Sequence, residues 1–371
     1  MSQSYVEDFS QKTFQVALVE WFHSQKRNLP WRQTSDPYKI WVSEIMLQQT
    51  RVDTVIPYYQ AFIRQFPTLL DLAKADEDAI LKAWEGLGYY SRVRNLQKAA
   101  QQVLEQFNGV VPDTREEISS LKGVGPYTAG AILSIAYGKA EPAVDGNVMR
   151  VLARVLLVND DIAKPATRKL FETILYDLIH KEDPSGFNQG LMELGALICT
   201  PTSPGCLICP VQQVCRAYSA GKQDELPVKS KKKKPKSKEL AATIVQNDNG
   251  KVLIEKRPEN GLLARLWQFP MVEARRDEQV NAIYEQFATY KFSLKLEDKV
   301  QEVEHVFSHL KWTIDVYEGT VGNQSSTYTS ESKWVEIERL EDYAFPVSHQ
   351  KIIEALKERQ QFEKKMKGYG R

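Results

Sequence analysis

"LKGVGPYTAG", residues 121–130, decides how the first half of the chain is read. Glycines stand at 123 and 125, a proline follows at 126, and small residues come next. Glycine is a natural helix stop, and proline is favoured in the first turn of a helix. The stretch therefore predicts one helix ending, a tight turn, and a second helix starting. Upstream, "TREEISSLKGVG" opens with a capping-box pair, Thr114 with Glu117, and is expected to stop at Gly123. Downstream, "PYTAGAILSIAYG" runs as the second helix. Residues 114–138 are thus read as a helix–hairpin–helix. Such a turn leaves backbone N–H groups, at Gly123 and Gly125, free to hold an anion.

Residues 14–200 around the hairpin read as helical. "FQVALVEWFHSQ" puts Phe14, Leu18, Trp21 and Phe22 on one helical face. "VSEIMLQQTRVDTVIPYYQAFI", "RVRNLQKAAQQVLEQF" and "ATRKLFETILYDLIH" keep the same period. The texture changes after residue 238. "ELAATIVQND", "KVLIEKR", "LWQFPMVEA" and "SKWVEIERL" are short, β-branched and aromatic, with "NDNGK" as a turn. The fold class expected is a mostly α N-terminal region followed by an α+β domain. The boundaries are 1–217 for the helical domain, 218–238 for a basic linker and 239–371 for the α+β domain.

The 371 residues carry 49 basic and 48 acidic side chains. Seven of the lysines crowd into "KSKKKKPKSK", residues 229–238, leaving the remainder net acidic. That run reads as a solvated tether or as a contact to nucleic-acid backbone. Any attraction to nucleic acid must otherwise come from local patches and backbone dipoles. No apolar run reaches membrane-spanning length, so no membrane partner is expected. The first residues lack the layout of a signal peptide, and a cytoplasmic protein is expected.

All four cysteines fall in "CTPTSPGCLICPVQQVC", as Cys199, Cys206, Cys209 and Cys215. The spacing C-x6-C-x2-C-x5-C points to a metal site rather than disulfides. Zinc usually shows two C-x2-C knuckles or histidines. Thiolate-only ligation in a short loop, with a proline after Cys209, suits an iron–sulfur cluster. Both metals stay open on spacing alone. Such a centre would fold the loop and present Arg216 to a phosphate backbone.

Two carboxylates attract attention. Glu44, in "WVSEIML", is a charge inside a run of large apolar residues. It either faces solvent or lies in an apolar pocket, where a raised pKa would make it a general acid. Asp145, in "AVDGNVMR", is placed either to cap the following helix or to face a reacting centre. Two carboxyl groups held at different pKa values can divide acid and base work between them.

The hairpin, the loop ending in Asp145 and the cysteine spacing together resemble the endonuclease III superfamily of DNA glycosylases. Within it, "LPWR", "WVSEIMLQQTRV", "WEGLGYYSR", "GVGPYTAGAI", "AVDGNVMRV" and "MELGALIC" are similar to the adenine DNA glycosylases. The resemblance is strong over residues 14–217 and reaches the C-terminal domain through "FSH" and "FPVSHQ". It implies a [4Fe-4S] cluster on the four cysteines and a duplex DNA partner carrying adenine opposite 8-oxoguanine or guanine. It implies that Glu44 protonates N7 of adenine and that Asp145 stabilises the sugar cation. Where bifunctional relatives carry a Schiff-base lysine, this chain has Tyr127, which cannot form one. A monofunctional glycosylase is expected, with Tyr127 beside the sugar. The flipped adenine would meet Arg27, Leu29, Trp31, Val52 and Gln189. Gln49 and Tyr89 would fill the vacated space, with Thr50 and Leu87 near the opposite base; the pair Tyr89–Tyr90 also reads as core. Gly123 and Gly125 would grip a DNA phosphate, and a monovalent cation is implied at the hairpin. The C-terminal domain resembles the Nudix fold but lacks the glutamate-rich helix of a hydrolase. Ser308, flanked by His305 and His309, is the expected reader of the oxidised guanine.

Overall fold

Prolines and capping side chains set the helix starts in the first half of the chain. The computed structural model describes residues 3–230, 234–322, 329 and 331–368. Asp36 caps the helix Pro37–Leu47, accepting from the backbone N–H of Tyr38. Asp183 caps Pro184–Leu197 by accepting from Gly186. Proline occupies the first turn of both.

Contacts divide the chain into two units, residues 1–75 with 95–231 and residues 76–94 with 232–371. The first unit is helical, and its core gathers Phe14, Leu18, Val148, Leu152, Phe171, Ile174, Phe187 and Leu191, all fully buried. Each such side chain contributes about 2 kcal/mol by leaving water.

The hairpin forms with shifted ends. The helix Arg115–Ser120 stops three residues before Gly123. Thr114 Oγ1 accepts from the backbone N–H of Glu117 at 3.3 Å and donates to its carboxylate at 2.7 Å. Gly123 takes the left-handed φ of +77° that its place in the turn requires, with Asn95 packed against it. The second helix runs from Pro126 to Tyr137 and ends at Gly138, φ +64°. Gly130 in this helix passes so close to the 142–143 backbone that a Cβ would lie 1.9 Å from the Pro142 carbonyl oxygen.

Part of the basic linker is anchored. Val228 O accepts from the Ile162 N–H, and Ser230 bonds the Asp161 carboxylate. Lys231–Lys233 lie outside the described residues, and Lys236 already opens the first strand.

The second unit holds a mixed sheet: β1 (Lys236–Gln246), β2 (Val252–Lys256), β3 (Trp267–Gln268), β4 (Met271–Glu273), β5 (Leu294–Val306), β6 (Leu310–Val321) and β7 (Ser332–Val335). The order is β3-β2-β1-β6-β5, with β4 on β1 and β7 on β2. Only β1 and β6 pair in parallel among these described strands. Alternation along β1 feeds two cores. Leu240, Ala242 and Ile244 join Ile352 and Leu356 of the helix Val347–Gly368 on one face. Ala241 and Val245 join Ile283 and Phe287 of the helix Gln279–Thr289 on the other. The mostly α first region and the α+β second domain are as the sequence predicts.

Gly130→Ala forces a backbone shift beside residues 142–143 and is expected to destabilise the protein by about 3 kcal/mol. Chemical denaturation checks this, and an unchanged midpoint would remove the close approach as a constraint.

Candidate active site

The helix Pro37–Leu47 is buried nearly all round, from Tyr38 to Met46. That environment takes in Glu44, which is only 5 % exposed. Burial raises its pKa to about 7; a hydrogen bond from Tyr127 and the charge of Arg32 work against the rise, while Asp145 adds to it. The Tyr127 hydroxyl donates to Glu44 Oε2 at 2.6 Å and also contacts Met192 Sδ at 3.3 Å. Burial, followed by the charges of Glu44 and Asp145, drives the Tyr127 pKa well up, so the phenol stays protonated.

Asp145 does cap its helix. Its Oδ1 accepts from the N–H of Val148 at 2.7 Å and its Oδ2 from Asn147 Nδ2 at 3.1 Å. Its pKa is nonetheless raised, because burial outweighs those donors and the Arg150 charge. Capping and facing the cavity are thus properties of one side chain.

Glu44, Tyr127 and Asp145 line a single cavity of about 160 Å³. Arg27, Leu29, Trp31, Val52 and Gln189 line it too, as the resemblance implies for an adenine pocket. Thr50 also lines it, where it had been expected beside the opposite base. Gln49 is exposed at the surface with a left-handed φ of +59°.

Four polar wall residues were missed in the sequence: Arg32, Ser43, Asn147 and Glu193. Glu193 is 1 % exposed. Burial would raise its pKa, but hydrogen bonds from Arg27 and Arg32 outweigh that and hold it at about 2. Both guanidinium groups bond it at 2.8–3.0 Å. Arg32 also donates to Gln189 Oε1 at 3.1 Å, and Gln189 Nε2 donates to Ser185 Oγ. An arginine only donates, so the amide oxygen of Gln189 must face Arg32. The signal was available: Gln189 and Glu193 are spaced i,i+4, on one face of one helix.

The hairpin leaves Gly123 and Gly125 without backbone N–H partners among the described residues, while Lys122 N–H is taken by Gln102 and Val124 N–H by Leu121.

The four cysteines line one small pocket with Val151, Val155, Leu194 and Ile198. Burial pushes the Cys209 thiol up to about 12, and burial with neighbouring sulfurs raises Cys206 and Cys215 as well. Four half-buried sulfurs lining one pocket become thiolates most readily around a compensating cation, so the donor chemistry fits a metal centre. Among the described residues, no group of three or more His, Cys, Asp or Glu side chains is gathered closely enough to hold a metal ion. Arg154, 2 % exposed, donates to Cys199 Sγ at 3.3 Å and to the carbonyls of Thr200 and Leu226. Arg216 is not presented outward as expected. Its guanidinium donates to the carbonyls of Tyr5 and Glu7 and lies over the Phe9 ring.

Leu87, Tyr89 and Ser308 belong to the second unit. Leu87 is buried, whereas Tyr89 is 46 % exposed with a left-handed φ of +47°. The Tyr89 hydroxyl lies 2.5 Å from Ser308 Oγ, at the wall of a cavity of about 540 Å³ that His305, Phe307 and His309 also line. Tyr90 is buried and its hydroxyl accepts from the Gly86 N–H, so of the two tyrosines this one is core. The helix Gln279–Thr289 carries one carboxylate, Glu285.

Hairpin, paired carboxylates and cysteine loop define a base excision DNA repair protein. The HhH-GPD superfamily base excision DNA repair protein family matches residues 42–176, and the NUDIX domain family matches 241–355. A solved thermostable thymine-DNA glycosylase aligns with TM-score 0.52 at 30 % identity, covering 57 % of this chain and 97 % of that one. The adenine DNA glycosylase of Homo sapiens is 34 % identical, over 92 % of this chain and 73 % of its own. That of Buchnera aphidicola subsp. Baizongia pistaciae is 35 % identical, over 93 % and 97 %. The chain belongs to the adenine DNA glycosylase family. It is a DNA glycosylase, a hydrolase that removes adenine in base excision repair.

Glu193→Ala strands two guanidinium groups in a buried site and is expected to cost about 3–5 kcal/mol. Thermal unfolding tests this; a melting temperature equal to that of the parent would show the clamp to be dispensable.

Proposed function

We propose that this enzyme is a monofunctional glycosylase that takes adenine from duplex DNA where it lies opposite 8-oxoguanine or guanine, binding the base flipped out of the stack. One observation carries the reading: two carboxyl groups with raised pKa values share a cavity sized for one heterocycle.

Chemistry on a base needs it out of the helix. Trp31, Leu29 and Val52 supply apolar walls, and Gln189, its amide oriented by Arg32, reads the polar edge. Glu44 as the acid gives its proton to N7. The C1′–N9 bond then breaks, with its electron pair going to the base. Asp145 as carboxylate stabilises the positive sugar, and water adds to C1′ and releases a proton. Tyr127 holds Glu44 in place and offers no amine, so no Schiff base forms and the strand is not cut. In the second unit, Ser308 and Tyr89 are the readers of the opposite base, supported by their shared hydrogen bond. Gly123 and Gly125 hold a DNA phosphate, with a monovalent cation at the same turn. The partner is duplex DNA, the protein acts as a monomer, and its place is the cytoplasm, on the nucleoid.

Cys199, Cys206, Cys209 and Cys215 hold a [4Fe-4S] cluster. In support, the four sulfurs line one pocket with no histidine in its wall, the thiolate-only donor set that suits iron and sulfide. The cluster when bound supplies a rigid anchor for the 199–215 loop. Freshly purified protein is expected to be brown and to contain iron and sulfide. Stoichiometric zinc without iron would overturn the assignment.

The test is single-turnover release of adenine from duplexes with adenine opposite 8-oxoguanine, guanine or thymine, with abasic sites revealed by alkali. Strand breaks without alkali would sink the monofunctional reading, and no release opposite 8-oxoguanine or guanine would sink the substrate. The pH profile should follow from the two carboxyl groups. Glu44 acts protonated, so the rate constant falls about tenfold per pH unit above about 7. Asp145 acts ionised, and its raised pKa brings the acid limb in at higher pH than for an exposed aspartate. Asp145→Asn keeps a competent helix cap, so stability should hold while turnover drops by at least about 100-fold.

A further inference from the structure

The family match over 42–176 runs straight through residues 76–94, yet the contacts of that stretch place it in the second unit. It contains the helix Glu77–Ala83 and the turn that carries Leu87 and Tyr89. Within the turn, Arg92 donates to the carbonyls of Leu87 and Gly88 at 3.0 and 3.1 Å, and its guanidinium lies over the rings of Trp84 and Tyr89. The turn is therefore stiff in itself.

Glu77 is the hub of its attachment. One oxygen accepts from Arg94 Nε and the other from Arg265 Nε, both at 2.9 Å. Arg265 also bonds Glu331 and holds a left-handed φ of +69°, which a bulky residue keeps only when its surroundings enforce it. Further along, Lys256 pairs with Asp78 at 2.5 Å, and the Phe345 N–H donates to Glu85 at 2.8 Å. Arg94 completes the frame by donating to the Glu259 carbonyl beside the cavity that Tyr89 and Ser308 share.

We infer that Glu77 and Arg265 are positioning residues for opposite-base discrimination: their ion pair ties the stretch that carries the Leu87–Tyr89 turn to the segment ending at Arg265, whose residues 259–264 wall the same cavity as Tyr89 and Ser308, so that turn and cavity read one nucleotide as a single rigid surface. Neither touches the adenine cavity, so the pair should act on the choice of mispair and not on the chemistry. The inference rests on the proposed role of Tyr89 and Ser308 in reading 8-oxoguanine.

The experiment compares full-length wild type with Arg265→Ala, isosteric Glu77→Gln and charge-conserving Arg265→Lys. Two readouts are taken: the ratio of single-turnover adenine release opposite 8-oxoguanine to that opposite guanine, and amide hydrogen exchange over residues 84–90. Arg265→Ala and Glu77→Gln should lower the ratio at least five-fold, leave the rate opposite guanine within two-fold, and speed exchange over 84–90 but not over 40–47. Arg265→Lys should recover part of the ratio. Unchanged ratio and unchanged exchange in both Arg265→Ala and Glu77→Gln would overturn the inference. So would an equal loss opposite both bases, because that is what general destabilisation does. A wild type with no preference between the two mispairs would instead defeat the substrate reading, and the exchange data would then decide on their own whether the lock exists.

Discussion

Setting three carboxyl groups in the wall of one small cavity is the constraint on which the first unit depends. A carboxylate taken from water without compensation is costly. The first unit meets that cost differently at the three acids of this wall, Glu44, Asp145 and Glu193. Glu44 receives a single hydroxyl and one distant cation, and its pKa rises to about 7. Asp145 receives backbone N–H groups at a helix start and rises less far than burial alone would take it. Glu193 receives two arginines and stays ionised. Three acids within one cavity wall thus have three protonation behaviours, each set by what donates to it. The helices Pro37–Leu47, Pro126–Tyr137, Gly146–Val155 and Pro184–Leu197 are the framework that keeps those donors in place.

Much of this was legible in the residues because short-range rules govern it. Gly123, Pro126 and Gly138 mark a hairpin and a helix end by conformational preference alone, though the first helix stops at Ser120 rather than at Gly123. β1 was readable from alternation, and its two faces serve two cores. Glu44 stood out as a charge in an apolar run. Glu193 did not, because a single acid on a helix usually points to water, and only the approach of Arg27 and Arg32, 166 and 161 residues earlier in the chain, makes it internal. Arg216 misled for the converse reason. Its cationic tip looked available beside the cysteines, but the N-terminal carbonyls of Tyr5 and Glu7 take it. Membership of residues 76–94 in the second unit was illegible as well, since an amphipathic helix declares that it has a partner and not which one.

The excursion of residues 76–94 has a consequence for how the chain can be divided. Sequence alone suggests cutting in the lysine-rich segment to obtain two independent pieces. Such a cut follows the chain but not the contacts. The N-terminal fragment would keep Glu77, Asp78, Glu85 and Arg94 while losing Arg265, Lys256, the Phe345 amide and the Glu259 carbonyl that satisfy them. The C-terminal fragment would lose a helix and a turn from its own packing. Genes are shuffled as contiguous lengths, so this protein's halves are not interchangeable parts: a second domain borrowed from a distant relative would arrive without the stretch of first-domain sequence that it was built to hold.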